Sequence, residues 1–597
     1  MLLKPYVPEG FAETVFKQRY AFTPEETWDG MSLRCATQMA LAEAPDKQPK
    51  YKQVFYDIIN YNLFVPGGRV LYNSGKNDPS LLNCFVLSNQ LDSKEGWGNL
   101  SYEMIVTSMC GGGCGIDFSD VRPNNAPIGI NKGVCPGPLG LMELIDAAAD
   151  PVRNGGGRRV ALMFSLDITH PDIMAFLDAK LTRGKLTHAN VSVRINDCKA
   201  FVKAVKNNED IELSWKGKFK SKINAKELWD KIVINAYNSA EPGALNLDLA
   251  NAESNIYYIM PLVTTNPCGE IVMPPYDSCC LGHLVLPRFI DPETNEIDMH
   301  LLANTIRSAV RFLDNVLSVN HYPLEEMQHI SETLRRIGLG VTGLADMLTM
   351  LGYRYGSEEA NKFTDKLFRF ISKIAYESSV MLAVEKGAFP LCNPAKHIES
   401  GYMKRMTNKI RALVAEHGIR NCAILTIAPT GTTSIVSGNW SSGIEPPFSP
   451  AYERRWWVGS ERHTETVYHP LFAQYLKEGK DVSNFVGSHD LSVREHLEVQ
   501  KVIQKHIDNA VSKTINIPED YPVEGLSDLW LEYLPHLKGT TYYRESTRGY
   551  VDPQTGEVKE PPLKRISTEE ALEQFKFDQE MLVGSEESKC KSGVCEL

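Results

Sequence analysis

The stretch Thr264–Leu284, "TTNPCGEIVMPPYDSCCLGHL", carries the densest chemistry in the chain. Asn266, Cys268 and Glu270 alternate through its start, and in an extended backbone residues i, i+2 and i+4 point to one side. Pro267 and Gly269 between them favour a tight loop instead, which still brings the three groups close. An amide, a thiol and a carboxylate in one place offer a hydrogen-bonding group, a reactive sulfur and a general base. The plainer reading is a turn that happens to bury a cysteine. Cys279 and Cys280 close the stretch.

Working outward, apolar runs alternate with helical stretches. "LLNCFVLS", "ANVSVRI", "GALNLDL", "GEIVMPP" and "NCAILTIAP" predict strands. "MHLLANTIRSAVRFLDNVLSV" and "EANKFTDKLFRFISKIAYESSVMLAVEKG" predict long amphipathic helices. This alternation is the pattern of an α/β fold. Residues 1–65 read as an N-terminal helical segment and 66–551 as the main body. From 552 the composition turns polar, giving a flexible tail over 552–597 with a short helix capped by Ser567 and Glu570.

The chain has 597 residues, 43% hydrophobic and 23% charged, with a net charge of −11. That balance describes a soluble globular protein and argues against binding polymeric DNA or RNA. No apolar run approaches the ~18 residues of a membrane span, and the start lacks a secretory signal. Thirteen thinly spread cysteines fit a reducing, cytoplasmic setting, where thiols that matter are redox-active, catalytic or metal-bound. Cys35, Cys135, Cys198, Cys392 and Cys422 read as buried apolar residues. "CGGGC", Cys110 to Cys114, reads as a glycine loop for close backbone approach to a phosphate or to another strand rather than a zinc site, which needs four ligands. The chain ends "CKSGVCEL", placing Cys590 and Cys595 on a polar tether that no core packing explains.

"NPCGE", "NCFVL", "RRVALMFSLDITHPDI", "APTGTTSI", "SSGIEP" and the terminal C-x4-C, taken in order, closely resemble the catalytic subunit of ribonucleotide reductases. The resemblance runs from about residue 10 to the end. It implies a ten-stranded α/β barrel with "NPCGE" as a central finger loop. It implies that Cys268 is the thiyl-radical residue acting on the ribose 3′ hydrogen, Glu270 the base for the 3′-hydroxyl, and Asn266 the amide holding the substrate hydroxyls. Cys84 and Cys279 look like the reducing dithiol, although aligning "SCCLG" with the family's Cys-x-Leu-Gly leaves Cys280 open as the second member. Thr430, Gly431, Thr432 and Thr433 resemble the substrate phosphate site. Asp92, with Arg183 and Lys185 in the loop Leu181–His188, resembles the site of a deoxynucleoside triphosphate effector. Cys590 and Cys595 resemble a shuttle that is reduced by a thioredoxin- or glutaredoxin-like partner.

The family divides by radical source. "NPCGE" and the gap from Cys268 to Cys279 look like the adenosylcobalamin-dependent class II, which needs no second subunit. Tyr542 and Tyr543 instead resemble the radical relay of class I, which takes its radical from a metal-containing small subunit. The glycyl-radical class is disfavoured by the tail dithiol. The lead reading is therefore a class II ribonucleotide reductase, a homodimer acting on a ribonucleoside di- or triphosphate, with no covalently bound cofactor and no resident metal. An ATP-binding cone is expected to be absent. A reading from another class is a non-catalytic nucleotide-binding or redox-sensing protein on the same fold.

Overall fold

The computed structural model describes residues 4–128, 133–152, 160–181, 186–458 and 461–545, with short stretches from 550 to 575. Three helices, Phe11–Arg19, Trp28–Ala40 and Gln48–Asn60, come first. The second starts where the Thr27 hydroxyl accepts the Gly30 N–H at 3.2 Å. Its buried residues Trp28, Met31, Cys35 and Met39 recur at helical spacing and form one apolar face. That layer packs on the long helix Met299–Val319, where the Phe55 and Phe312 rings meet edge to face at 5.2 Å. Buried Arg311 forks to Glu43, with contacts of 2.6 and 2.7 Å, and also binds Glu385, fixing the first helices to the body by charge.

An eight-stranded sheet forms the centre. In spatial order its strands are Ser278–Cys279, Cys84–Val86, Gly113–Asp117, Leu162–Asp167, Ala189–Ile195, Gly243–Asn246, Gly539–Arg544 and Thr514–Ile517. The five from Cys84 to Asn246 run parallel, and the pairings at the two ends of that set are antiparallel. All six residues of Leu162–Asp167 are buried, as expected of a parallel strand covered on both faces. The run that begins at Ser278 continues as Leu281–Val285, which pairs with Phe64–Pro66 on one side and Gly338–Thr342 on the other.

The predicted strand in "NCAILTIAP" makes only single bridges, Leu339 to Leu425 and Ile427 to Val511. The reason is chemical. The Asp508 carboxylate accepts the N–H groups of Ile424 and Leu425, both at 2.8 Å, so a side chain takes donors that a ladder would use. The long helices match prediction closely, spanning Met299–Val319 and Glu358–Lys386.

The tail expectation needs a correction. Leu563–Ile566 pairs antiparallel with Ala451–Arg454, and Ala571 is buried against Ala451, Leu471, Phe472 and Phe485. Free backbone groups on a strand edge and an apolar cluster hold this part of 552–597 on the body. Among the described residues no helix is long and apolar enough to cross a membrane.

Candidate active site

The "NPCGE" stretch is the tip of a hairpin whose arms are Thr264–Thr265 and Val272–Met273. Gly269 adopts φ +80°, and its N–H donates to the Asn266 carbonyl at 3.0 Å to close the turn. The Asn266 Oδ1 accepts the Ile271 N–H at 3.1 Å. The hairpin is pinned among the central strands. Asn190 Nδ2 donates to the Pro267 carbonyl, and the Thr426 hydroxyl and Ala510 N–H both donate to the Glu270 carbonyl. Gly115 is required here, because a Cβ at that position would lie 2.1 Å from the Thr265 carbonyl oxygen. The "CGGGCG" run thus serves close strand approach, as its composition suggested: a Cβ on Gly112 would strike Phe85 at 2.6 Å.

Cys84 lies against the hairpin. A Cβ on Gly113 would touch both Pro267 Cγ at 3.0 Å and Cys84 Sγ at 3.4 Å. The antiparallel register sets Cys279 directly opposite Cys84. Cys280 is buried with its thiol on the Leu313 carbonyl of the outer helix, at 3.5 Å. The structure therefore brings the backbone of Cys279, and not the Cys280 thiol, to Cys84.

The electrostatics follow from enclosure. Burial pushes the Glu270 carboxyl up to about 7, partly offset by the nearby Asn266 amide. Burial, then the neighbouring Glu270 charge, pushes the Cys84 thiol up to about 12. Cys268 is likewise held well above the ordinary thiol range by burial, Glu270 and Cys84. Its exposed surface lines a cavity of about 260 Å³. Both thiols thus stay S–H at neutral pH, and the carboxyl sits where a general base works best. Asn266 Nδ2 and Glu270 Oε2 are buried without partners, aimed at no protein group. Buried polar atoms are nearly always paired, so these two are candidates for polar contact with a bound molecule.

The Thr430–Thr433 turn lines a second cavity of about 460 Å³. Ser442 Oγ accepts the N–H groups of Thr430 and Gly431, Thr342 and Thr430 hydroxyls meet at 2.9 Å, and Tyr20 meets Thr432 at 2.5 Å. Sequence reasoning missed Arg19, Arg69, Asn83 and His283 on the same wall. Asn83 adjoins Cys84 and His283 closely follows Cys280, so both offered a signal; Arg19 and Arg69 lie apart from these motifs and offered none.

Asp92 is held in a fork by Arg122, at 2.8 and 3.0 Å. Tyr542 is buried against Trp530, with ring centroids 4.4 Å apart. Tyr543 is the next residue on the strand and so projects from its other face. Arg183, Lys185, Cys590 and Cys595 lie outside the described residues. Among the described residues no group of three or more His, Cys, Asp or Glu side chains is set to hold a metal ion.

A hairpin that carries a thiol and a carboxylate lies against a mostly parallel sheet, with a threonine turn on a second cavity. The ribonucleotide reductase barrel-domain model matches residues 82–543, and the all-alpha-domain model matches 7–79. The chain belongs to the ribonucleotide reductase large-subunit family. It is 32% identical to the vitamin B12-dependent ribonucleoside-diphosphate reductase of Thermoplasma acidophilum over 86% of this chain and 68% of that protein. It is 32% identical to the protein of the same name from Mycobacterium tuberculosis, over 90% and 79%. The ribonucleoside-diphosphate reductase large subunit of Danio rerio is 28% identical, over 67% and 55%.

Proposed function

We propose that this chain is a class II enzyme that reduces ribonucleoside diphosphates to 2′-deoxyribonucleoside diphosphates, with adenosylcobalamin as its radical source. The observation that carries the reading is the meeting of Cys268, Glu270, Asn266 and Cys84 at one enclosed point, with a threonine turn nearby. In this reading Cys268 takes the 3′ hydrogen and returns it, Glu270 accepts the 3′-hydroxyl proton, and Asn266 holds the hydroxyls. The 2′-hydroxyl leaves as water with a thiol proton, and Cys84 and Cys279 supply two electrons and become a disulfide. The ten-stranded closed barrel belongs to the same proposal. The shared run Ser278–Val285 and the single bridges at Leu425 and Ile427 support it by linking the two ends of the eight-stranded sheet.

The cobalamin reading is supported by the names and greater coverage of the B12-dependent relatives. The cavity at Cys268 fits a nucleoside-sized group. Small residues Gly243, Gly539, Ala240 and Ser192 line it, and a Cβ on Gly269 would meet nothing within 4 Å. Those residues would hold the adenosyl end of the cofactor, which when bound supplies the one-electron step that turns a thiol into a thiyl radical. In the class I alternative Tyr542 and Tyr543 would carry the radical, and Tyr542 is packed on Trp530.

The purified chain alone, given adenosylcobalamin, a dithiol, a ribonucleoside diphosphate and a deoxynucleoside triphosphate effector, is expected to form deoxynucleotide, read by chromatography. No product under those conditions overturns the cobalamin reading. A homodimer, an effector site at Asp92, Arg183 and Lys185, and a thioredoxin- or glutaredoxin-like reductant complete the proposal. Deleting residues 590–597 is expected to spare the first turnover and stop later ones with a protein reductant, while a small dithiol restores cycling. A truncated chain that keeps cycling on the protein reductant removes Cys590 and Cys595 from the shuttle.

A further inference from the structure

His283 has no part in the chemistry above, yet it stands in the wall of the cavity beside the Thr430 turn. It lies on Leu281–Val285, opposite Val65 on one side and Gly340 on the other. Its neighbour Gly282 faces outward, since a Cβ there would meet Phe64 at 2.5 Å and Leu313 at 3.2 Å. Strand alternation then turns His283 inward, and Gly340 has no side chain to block it.

The register fixes its level. Leu281 pairs with Gly338, where a Cβ would lie 3.3 Å from Ile271 of the hairpin. Val285 pairs with Thr342, whose hydroxyl meets Thr430 at 2.9 Å. His283 is midway, about 7 Å along the strand from each level at ~3.3 Å per residue. It stands between the thiol site and the phosphate turn.

The imidazole is 6% exposed, and its Nε2 is enclosed without a hydrogen-bond partner. A ligand therefore reaches the ring from its Nδ1 edge. Asn83 Oδ1, on the same wall, is also buried and unpartnered. Arg19 and Arg69 add positive charge, and among the described residues no carboxylate lines this cavity. Burial pulls the imidazole down to about 3, so it is neutral and carries one N–H.

We propose that His283 binds the substrate where ribose joins phosphate, donating from its Nδ1 edge to an oxygen of the first phosphate. This rests on the reading of Thr430–Thr433 as the phosphate turn, and the test separates the two.

Isothermal titration of the full chain with cytidine 5′-diphosphate reads the affinity of the wild type and of His283→Leu, His283→Asn and Thr432→Val. A hydrogen bond to a charged group supports about a tenfold or greater loss for His283→Leu. His283→Asn restores most of it, because its amide N–H falls near the Nδ1 position, and its unliganded melting temperature stays at the wild-type value. Wild-type affinity in His283→Leu with weakened Thr432→Val overturns the proposal and leaves the turn standing. Equal losses in His283→Leu and His283→Asn assign the ring to packing and also overturn it. Full affinity in all three variants removes the turn reading, and His283 with it.

Discussion

Cys268→Ser abolishes turnover while the chain still folds and still binds nucleotide. The substitution changes one atom at the tip of a turn whose hydrogen bonds come from other groups. The Gly269 N–H closes the turn on the Asn266 carbonyl, and the Asn266 side chain holds Ile271. None of these uses the sulfur. What is lost is a weak S–H bond that can give up and regain a hydrogen atom; the O–H bond of serine is too strong for that exchange. Enclosure keeps the thiol protonated, through burial and the nearby Glu270 and Cys84, which suits the proposed hydrogen-atom exchange better than thiolate chemistry. The expected loss is at least ~10⁴-fold, the scale on which removing a covalent catalytic group is felt. Product is followed by chromatography over hours, and cytidine diphosphate binding by titration. Turnover within about tenfold of wild type removes Cys268 from the mechanism.

How much of this was legible in the sequence depends on the range of the interaction. "NPCGE" was readable because Pro267 and Gly269 dictate a turn locally, and the turn forms as predicted. The helices Met299–Val319 and Glu358–Lys386 were readable because their apolar spacing repeats over many turns. "NCAILTIAP" forms single bridges rather than a full strand, in part because Asp508, more than eighty positions away, takes the Ile424 and Leu425 N–H groups. Part of the supposed tail, Leu563–Ile566, pairs with Ala451–Arg454 because an open strand edge recruits it across the chain, which composition does not record. The choice between Cys279 and Cys280 was open from spacing, since a slip of one residue reverses the face, and only register separates them. His283 stood in the opening stretch, but its place on the cavity wall comes from strand pairing and not from spacing.

Glu270→Gln is expected to lower kcat/KM by ~10²–10⁴-fold, the usual contribution of a positioned acid or base, and at the same time to stabilise the protein at alkaline pH. Both effects have one cause. Glu270 is fully buried, its Oε2 has no partner, and its carboxyl is pushed from an ordinary 4.5 up to about 7. The folded state therefore holds that proton more tightly than the unfolded state does. Below pH 4.5 both states carry it and the group is neutral in the balance. As pH rises from 4.5 to 7 the unfolded carboxyl ionises freely while the folded one resists, so stability falls across that window. Above 7 the deficit levels off at about 3 kcal/mol, taking ~1.4 kcal/mol per pH unit. Glutamine never ionises and escapes this cost. Thermal melts are expected to show a gain for Glu270→Gln that is largest at pH 8 and shrinks toward pH 5. In the same series, the acid limb of the wild-type kcat/KM profile falls near pH 7, where the base gains its proton. A melting difference that does not change with pH, or a wild-type acid limb near 4.5, places the carboxylate in water and ends its assignment as the enclosed base.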